Sequence, residues 1–222
     1  INVGLVGSEM CIRDRYYLDK VIGKVMDHLA ELGMTKNTLV IYIGDNGGST
    51  PIYADNTPLR GSKYLLYEGG VRVPLIFSFP GVFEKGAVRD NVVSAMDVLP
   101  TICDAVCVES PEYIDGLNLS PLLQGENSTI HHQQLVWDTG HEVAVRSGKW
   151  KMHIALRDGH AKYEMVDLEL GEHLYDLEND PGETTNLKDD HPDVFQALKN
   201  IHAEWKNYVA PAKTETVSYT HL

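Results

Sequence analysis

Two residues that carry hard oxygen ligands, Asp45 and Asn46, follow Gly44 at the end of the apolar run of residues 39–43. A short β-branched run bounded by glycine is typical of a buried strand in an α/β sheet, and ligand sites in such sheets lie beyond the carboxyl ends of the strands. A carboxylate and an amide oxygen suit Ca²⁺ or Mg²⁺, although either ion needs more oxygen ligands than this pair supplies. The alternative is a simple turn, because Asp, Asn and Gly are also common turn residues.

A lysine follows in a glycine-flanked segment further along the chain. Lys63 lies among apolar and aromatic residues, and it precedes a second apolar run at residues 71–79. An ammonium group in such a setting can act as a point charge for a tetrahedral oxyanion. The residues therefore indicate a cation site and an anion contact in neighbouring parts of the sequence.

Three segments occur in order: Asp-Asn-Gly-Gly at residues 45–48, Pro-Leu-Arg-Gly-Ser-Lys at residues 58–63, and Glu-Gly-Gly-Val-Arg-Val-Pro at residues 68–74. This order closely resembles the sulfatase family of the alkaline phosphatase superfamily. The resemblance implies that Asp45 and Asn46 are metal ligands that complete a Ca²⁺ site and that Lys63 contacts the substrate sulfate. A simple turn is disfavoured, because it would not require the later lysine and arginine.

The resemblance also implies a reaction, the hydrolysis of sulfate esters with a formylglycine hydrate as nucleophile. Sulfated small molecules or sulfated glycans would be the substrates, and a periplasmic or extracellular location would be expected. The family's nucleophile motif needs Cys or Ser, then Pro or Ala two positions on, then Arg two beyond, and Cys11, Cys103 and Cys107 do not fit it. We therefore expect the formylglycine in a missing N-terminal part and expect this chain alone to be inactive.

Two other functions stay open from the residues. A phosphoester hydrolase or phosphotransferase of the same superfamily would share the sheet and the metal position, but it would use Ser or Thr and usually two transition metals. Lys63 and the match near the carboxyl end favour a sulfatase. A non-catalytic sulfatase-like Ca²⁺-binding protein would carry the same ligands without a nucleophile.

His141 is a further candidate for substrate binding. It ends the segment Trp-Asp-Thr-Gly-His at residues 137–141, which we place in a loop between two subdomains, with an ordinary surface loop as the default. The acidic residues in the range 176–183 lack the ligand order and central glycine of an EF-hand, and Asp-Pro-Gly-Glu is typical of a turn. We expect a solvated turn there.

Several elements must position these residues. Residues 16–32 have apolar side chains at helical spacing, which predicts an amphipathic helix packed on a sheet, and the apolar runs at 39–43 and 71–79 predict strands. A capping-box pattern at Ser94 predicts another helix. This helix carries Cys103 and Cys107 at i, i+4 spacing, for which we predict buried thiols.

The spacing of the apolar residues changes after residue 130. Short strand candidates at close intervals predict an antiparallel sheet, and a terminal amphipathic helix follows. The strand candidates are residues 144–146, 150–156, 163–170 and 173–177, and the helix covers residues 192–209. The predicted fold class is α/β, with the C-terminal part of an alkaline-phosphatase-like sheet flanked by helices plus a small antiparallel-sheet subdomain with a terminal helix.

Both ends of the chain resemble a translated sequencing adapter. Residues 5–14 match one reading frame of a common transposase adapter, and residues 217–222 match its reverse complement. We expect both end segments to pack poorly. The expected organisation is an adapter-derived segment at 1–15, the C-terminal part of the catalytic α/β domain at 16–130, a small α+β subdomain at 131–211, and a tail at 212–222.

The 222 residues are 43% hydrophobic and carry a formal net charge of −13. This length suits one large domain or a medium domain plus a small one, and the composition disfavours disorder. The acidic balance disfavours nucleic acid as a partner, whereas an anionic substrate would be held by local cations. No apolar run is long enough for a membrane span.

Overall fold

The computed structural model describes residues 7–50, 54–126, 129–156 and 168–209. The described residues fall into two compact units, which are described separately: the first contains the residues up to Gln133 together with Leu168, and the second contains the others. Among the described residues, each helix is too short or too polar to traverse a lipid bilayer.

The first unit combines helices with a two-stranded antiparallel sheet. Its elements are α1 (Gly7–Glu31), β1 (Val40–Ile43), α2 (Glu68–Val71), β2 (Leu75–Ser78), α3 (Val98–Ala105) and α4 (Ser120–Leu123). Val40 lies opposite Ser78 in the sheet, and Ile43 lies opposite Leu75. The strand predicted over residues 71–79 is therefore shorter, because the Arg72 N–H bonds to the carbonyl of Glu68 and closes a helical turn before β2 begins.

Helix α1 differs from the prediction in its start and in its packing. It begins at Gly7 rather than at Tyr16, since an established helix can extend into residues that lack apolar periodicity. Residues 12–21 and Val25 are exposed, whereas Ile22 and Leu29 of the same predicted face are half-buried, so this face is only partly covered within the described part of the chain. Residues 217–222 lie outside the described residues.

Asp97 joins three segments of the first unit. Its carboxylate accepts the Ser94 N–H at 2.7 Å while Ser94 Oγ accepts the N–H of Met96, which confirms the predicted capping box. The same buried carboxylate accepts the Leu117 N–H at 2.7 Å and lies 2.7 Å from Nε2 of His132. These partners compensate for the burial of its charge.

The two cysteines near α3 have different environments. Cys103 is buried on the helix, whereas Cys107 is exposed. The helix ends at Ala105, and Cys107 has a positive φ of 56°, so the chain leaves the helical path before the second thiol could reach the same face. The prediction of two buried thiols is wrong for Cys107.

The second unit is a four-stranded antiparallel sheet with a terminal helix, as predicted. The strands are β3 (Gln134–Asp138), β4 (Glu142–Ser147), β5 (Trp150–Ala155) and β6 (Gly171–Asp176), in the order β3-β4-β5-β6, and the helix is α5 (Pro192–Val209). β3 departs from the prediction, which places Trp137 and Asp138 in a loop and gives no strand to residues 134–136. The strand predicted over residues 163–170 lies mostly outside the described residues, and residues 168–170 have no regular structure.

The two faces of this sheet have different chemistry. Alternate strand residues on one face form an apolar core with Phe195 and Leu198 of α5. These strand residues are Val143, Val145, Met152 and Leu174. The opposite face is polar and also buried. There Nζ of Lys151 lies 2.9 Å from Oε1 of Glu183, and Nε2 of His153 lies 2.9 Å from Oε2 of Glu142. Pairing limits the cost of removing these groups from water.

Candidate functional site

Asp45 and Asn46 form a turn at the carboxyl end of β1. Oδ1 of Asp45 accepts the N–H of Asn46 at 3.0 Å, and Nδ2 of Asn46 donates to the carbonyl of Gly47 at 2.9 Å. Asp45 is exposed and Asn46 is half-buried. Because the Asn46 amide nitrogen is used as a donor, its amide oxygen and the carboxylate of Asp45 are the atoms that can act as cation ligands.

This turn packs backbone to backbone on the segment that contains α2. The Gly47 N–H donates to the carbonyl of Gly70 at 2.9 Å, and the Gly44 N–H donates to the carbonyl of Pro74 at 3.0 Å. A Cβ atom on Gly47 would lie 1.7 Å from the carbonyl oxygen of Gly69. The glycines of the first and third sequence segments are therefore needed because the backbones approach each other closely.

The backbone of Lys63 is bonded to the loop that follows Asn46. Its N–H donates to the carbonyl of Gly48 at 3.1 Å, and Oγ of the buried Ser62 lies 3.3 Å from the same oxygen. Nζ of Lys63 lies 5.4 Å from the centroid of the Tyr64 ring. The structure thus brings the loops of Asp45, Asn46 and Lys63 together, while the ligand and sulfate-contact roles of these residues stay predictions.

Asn56 also belongs to this arrangement, although sequence reasoning did not select it. Its Oδ1 accepts the Gly48 N–H at 3.0 Å, and its Nδ2 donates to the carbonyls of Gly48 and Gly61 at 2.8 and 2.9 Å. The available sequence signal was an Asn-Thr-Pro turn, which predicts local hydrogen bonds rather than a bridge between two loops.

His141 lies in a different environment from the one predicted. It is in the hairpin turn between β3 and β4, in the second unit, and not in a loop that joins subdomains. Trp137 and Asp138 belong to β3, because they pair with Ala144 and Val143. Contact of His141 with substrate stays a prediction.

The acidic group near the end of β6 forms turns, but it is not uniformly solvated. Asp176 accepts a hydrogen bond from Nζ of Lys149 at 2.7 Å, and this bond is the main reason that the pKa of Asp176 is lowered to about 2. Glu183 is fully buried and paired with Lys151. The prediction of a solvated turn is therefore wrong for Glu183.

The ligands available for a metal are few. Within the described ranges, no group of three or more His, Cys, Asp or Glu side chains could hold a metal ion. Asp45 and Asn46 offer two oxygen ligands, whereas Ca²⁺ takes about six to eight. The chemistry of this pair fits a hard cation, and the other ligands would have to come from elsewhere.

Comparison with known proteins places these segments in a family. The family model described as Sulfatase matches residues 12–108, and the model described as N-sulphoglucosamine sulphohydrolase, C-terminal, matches residues 62–209. Arylsulfatase A of Homo sapiens is 33% identical over 207 residues, which are 83% of this chain and 41% of that protein. The chain therefore spans less than half the length of this curated relative.

Solved structures show the same fold. The crystal structure of Ps i-CgsB in complex with k-i-k-neocarrahexaose has a TM-score of 0.75 at 24% identity. The match covers 92% of this chain and 44% of the Ps i-CgsB chain. The crystal structure of the PsFucS1 sulfatase from Pseudoalteromonas sp. has a TM-score of 0.72 at 23% identity. The match covers 90% of this chain and 43% of the PsFucS1 chain. The fold is thus the predicted alkaline-phosphatase-like α/β arrangement. The family model that matches residues 62–209 covers two thirds of the chain, and the segments at residues 45–48, 58–63 and 68–74 occur in order. The chain therefore belongs to the sulfatase family.

Proposed function

We propose that the protein to which this chain belongs hydrolyses sulfate esters, with Asp45 and Asn46 as ligands of Ca²⁺ and Lys63 as a contact of the sulfate group. The observation that carries the proposal is the hydrogen bond from the Lys63 N–H to the carbonyl of Gly48, at 3.1 Å. It holds the backbone of the predicted anion-binding residue beside the loop of the predicted metal ligands. Membership of the sulfatase family supports the reaction class.

Each residue has a separate role in this proposal. Asp45 would bind the cation through its carboxylate, whose orientation the Asn46 N–H sets, and Asn46 would bind through its amide oxygen. Bound Ca²⁺, or Mg²⁺ in its place, would supply Lewis-acid polarisation of the sulfate oxygens. Lys63 would hold the sulfate group as a point charge and offset the negative charge that develops in the transition state.

The nucleophile of the proposed reaction lies outside this chain. Formylglycine is expected within the family's Cys or Ser motif, and neither Cys103 nor Cys107 is followed by the Pro or Ala and the Arg that the motif requires. The proposed substrates are sulfated small molecules or sulfated glycans. The relative is named an arylsulfatase, and one structural neighbour was solved with an oligosaccharide, so both classes have support.

The proposal is tested with a chromogenic aryl sulfate and two proteins, the full-length protein recovered from the upstream reading frame and the 222-residue chain. We expect Ca²⁺-dependent turnover by the full-length protein and none by the chain, because covalent catalysis needs the nucleophile. Asp45→Ala in the full-length protein should weaken Ca²⁺ binding and lower kcat/KM by on the order of 10²-fold. Asp27→Ala, at an exposed aspartate of α1, is the control and should change neither quantity.

Several results would contradict this proposal. Turnover by the chain alone that Asp45→Ala abolishes would show that the chain already contains a complete site. Unchanged calcium affinity in Asp45→Ala, measured by titration calorimetry, would remove the ligand role. Faster turnover of a phosphate ester than of a sulfate ester would favour the phosphoester hydrolase, and calcium binding without turnover of either ester would indicate the non-catalytic protein.

A further inference from the structure

The side-chain amide of Asn56 connects the two loops that carry the proposed site residues. It bonds to both the N–H and the carbonyl of Gly48, at 3.0 and 2.8 Å, and to the carbonyl of Gly61 at 2.9 Å. Gly48 lies two residues after Asn46, and Gly61 lies two residues before Lys63. One side chain therefore fixes the backbone of both loops.

The two glycines that Asn56 contacts are packed closely against neighbouring side chains. A Cβ atom on Gly48 would lie 2.7 Å from Cβ of Ala54 and 2.7 Å from Oδ1 of Asn56. Gly61 has a φ of +88°, and a Cβ atom there would lie 2.7 Å from Cβ of the fully buried Tyr67. Each glycine is thus packed against neighbouring side chains, which leaves little room for its backbone to shift.

Among the residues that the structure describes, three donors meet at a single carbonyl oxygen, that of Gly48. They are Nδ2 of Asn56 at 2.8 Å, the N–H of Lys63 at 3.1 Å and Oγ of Ser62 at 3.3 Å. The orientation of this peptide group consequently sets the position of the Lys63 backbone relative to the turn that carries Asn46. Asn56 supplies the shortest of these bonds and also fixes the N–H of the same residue.

We propose that Asn56 is a positioning residue, which holds the Asp45 and Asn46 turn and the Lys63 loop in one fixed arrangement so that the cation ligands and the lysine charge meet the same substrate group. It acts through Gly48 and Gly61, without contacting the substrate. The inference rests on the proposed function of Asp45, Asn46 and Lys63. Misplacement of such groups by about 1 Å can lower a rate by about 10²-fold.

Hydrogen exchange measured by mass spectrometry on the 222-residue chain tests the bridge itself. Asn56→Ala removes all three bonds, so the amides of Gly48 and Lys63 should exchange at least about tenfold faster than in the unaltered chain. Asn56→Asp is the second variant, because it keeps an acceptor for the Gly48 N–H but has no donor for the carbonyls. In Asn56→Asp the exchange of the same amides should be accelerated by a smaller factor. This variant keeps the test decisive if Asn56→Ala unfolds the first unit.

Asn186→Ala is a matched control in the second unit. Oδ1 of Asn186 accepts the Leu174 N–H at 3.0 Å, and Nδ2 donates to the carbonyl of Glu172 at 3.1 Å, so a comparable backbone bridge is lost elsewhere. This variant should leave the exchange of Gly48 and Lys63 unchanged. Equal exchange of these two amides in the Asn56 variants and in the unaltered chain would overturn the inference.

The full-length protein supplies the functional comparison. Asn56→Ala should lower kcat for an aryl sulfate by on the order of 10²-fold and weaken calcium affinity severalfold, whereas Asn186→Ala should leave both within about twofold. A purely structural role would reduce the active fraction without changing the calcium Kd, and that result would overturn the inference. Faster exchange at Gly48 and Lys63 in a full-length protein without sulfatase activity would support the bridge and contradict the proposed function.

Discussion

The ammonium group of Lys63 lies against an aromatic ring. Its Nζ is 5.4 Å from the centroid of the Tyr64 ring, and Tyr64 has a positive φ of 85°, which is uncommon for a residue with a side chain. A ring face attracts a cation without neutralising it, so the charge stays available to an anion. Strained backbone conformations of this kind are often found at functional sites.

Substitution of Lys63 tests this role in the full-length protein. Lys63→Ala should lower kcat/KM for an aryl sulfate by about 10²-fold to 10³-fold, because a positioned charge is removed from the developing negative charge. Lys63→Arg should retain part of the activity, since its planar guanidinium keeps the charge but not its location. Lys85→Ala, at an exposed lysine of the first unit, serves as the control. Steady-state kinetics with equal kcat/KM for Lys63→Ala and Lys85→Ala would argue against sulfate contact.

At the scale of an element, β5 separates two environments in the second unit. Met152 faces the apolar core together with Leu174, while its neighbours Lys151 and His153 point to the other side of the sheet and are just as fully buried. A buried ion pair such as Lys151 and Glu183 adds little net stability, but removal of one partner leaves an uncompensated charge. The polar face is therefore sensitive to changes in ionisation.

His153 should make the second unit sensitive to acid. Burial lowers the pKa of its imidazole below the ordinary value of 6.5, although the Glu142 carboxylate opposes this effect. The unfolded chain then binds a proton more readily than the folded chain, so the stability is present above about pH 6.5 and is lost as the pH falls below it. His153→Gln should reduce this loss by at most about 1.4 kcal/mol per pH unit.

The measurement is the free energy of unfolding, obtained from denaturant titrations at about pH 8 and about pH 5.5. Both the unaltered chain and the His153→Gln variant are compared, and His28→Gln, at an exposed histidine of α1, is the control. If the unaltered chain and His153→Gln lose the same free energy between the two pH values, the buried imidazole is not the cause of acid sensitivity.

At the scale of the whole molecule, α1 presents an apolar face that the described residues leave partly uncovered. Leu18, Val21 and Val25 are 48%, 49% and 54% exposed. Exposed apolar stripes of this kind mark interaction surfaces or lead to association. The chain spans 41% of arylsulfatase A, so the family fold has elements beyond those described, and we expect some of them to cover this face.

The purified chain is therefore expected to self-associate. Substituting Val21→Glu together with Val25→Glu should shift it toward a monomer in size-exclusion chromatography with light scattering, because the charges disfavour apolar contact. Lys20→Glu with Lys24→Glu alters the polar side of the same helix and should leave the association unchanged. A monomeric unaltered chain would contradict the expectation.

Sequence alone determined the features that depend on local chemistry and spacing. The capping box at Ser94, the strands β4, β5 and β6 of the second unit and the helix α5 follow from short-range hydrogen bonding and from side-chain periodicity. The motif order that contains Asp45 and Lys63 was sufficient to indicate the family. These features can be predicted because they depend mainly on residues that are close together in the sequence.

Tertiary structure decided the features that depend on contacts between separate segments. The bridge from Asn56 to Gly48 and Gly61, the position of His141 in a hairpin turn and the burial of Glu183 each depend on where distant backbone lies. A polar residue in a loop has several possible partners, and its sequence neighbours do not select among them. Folding selects the partner, because only the folded chain brings the carbonyls of Gly48 and Gly61 near enough for one amide to hold two loops.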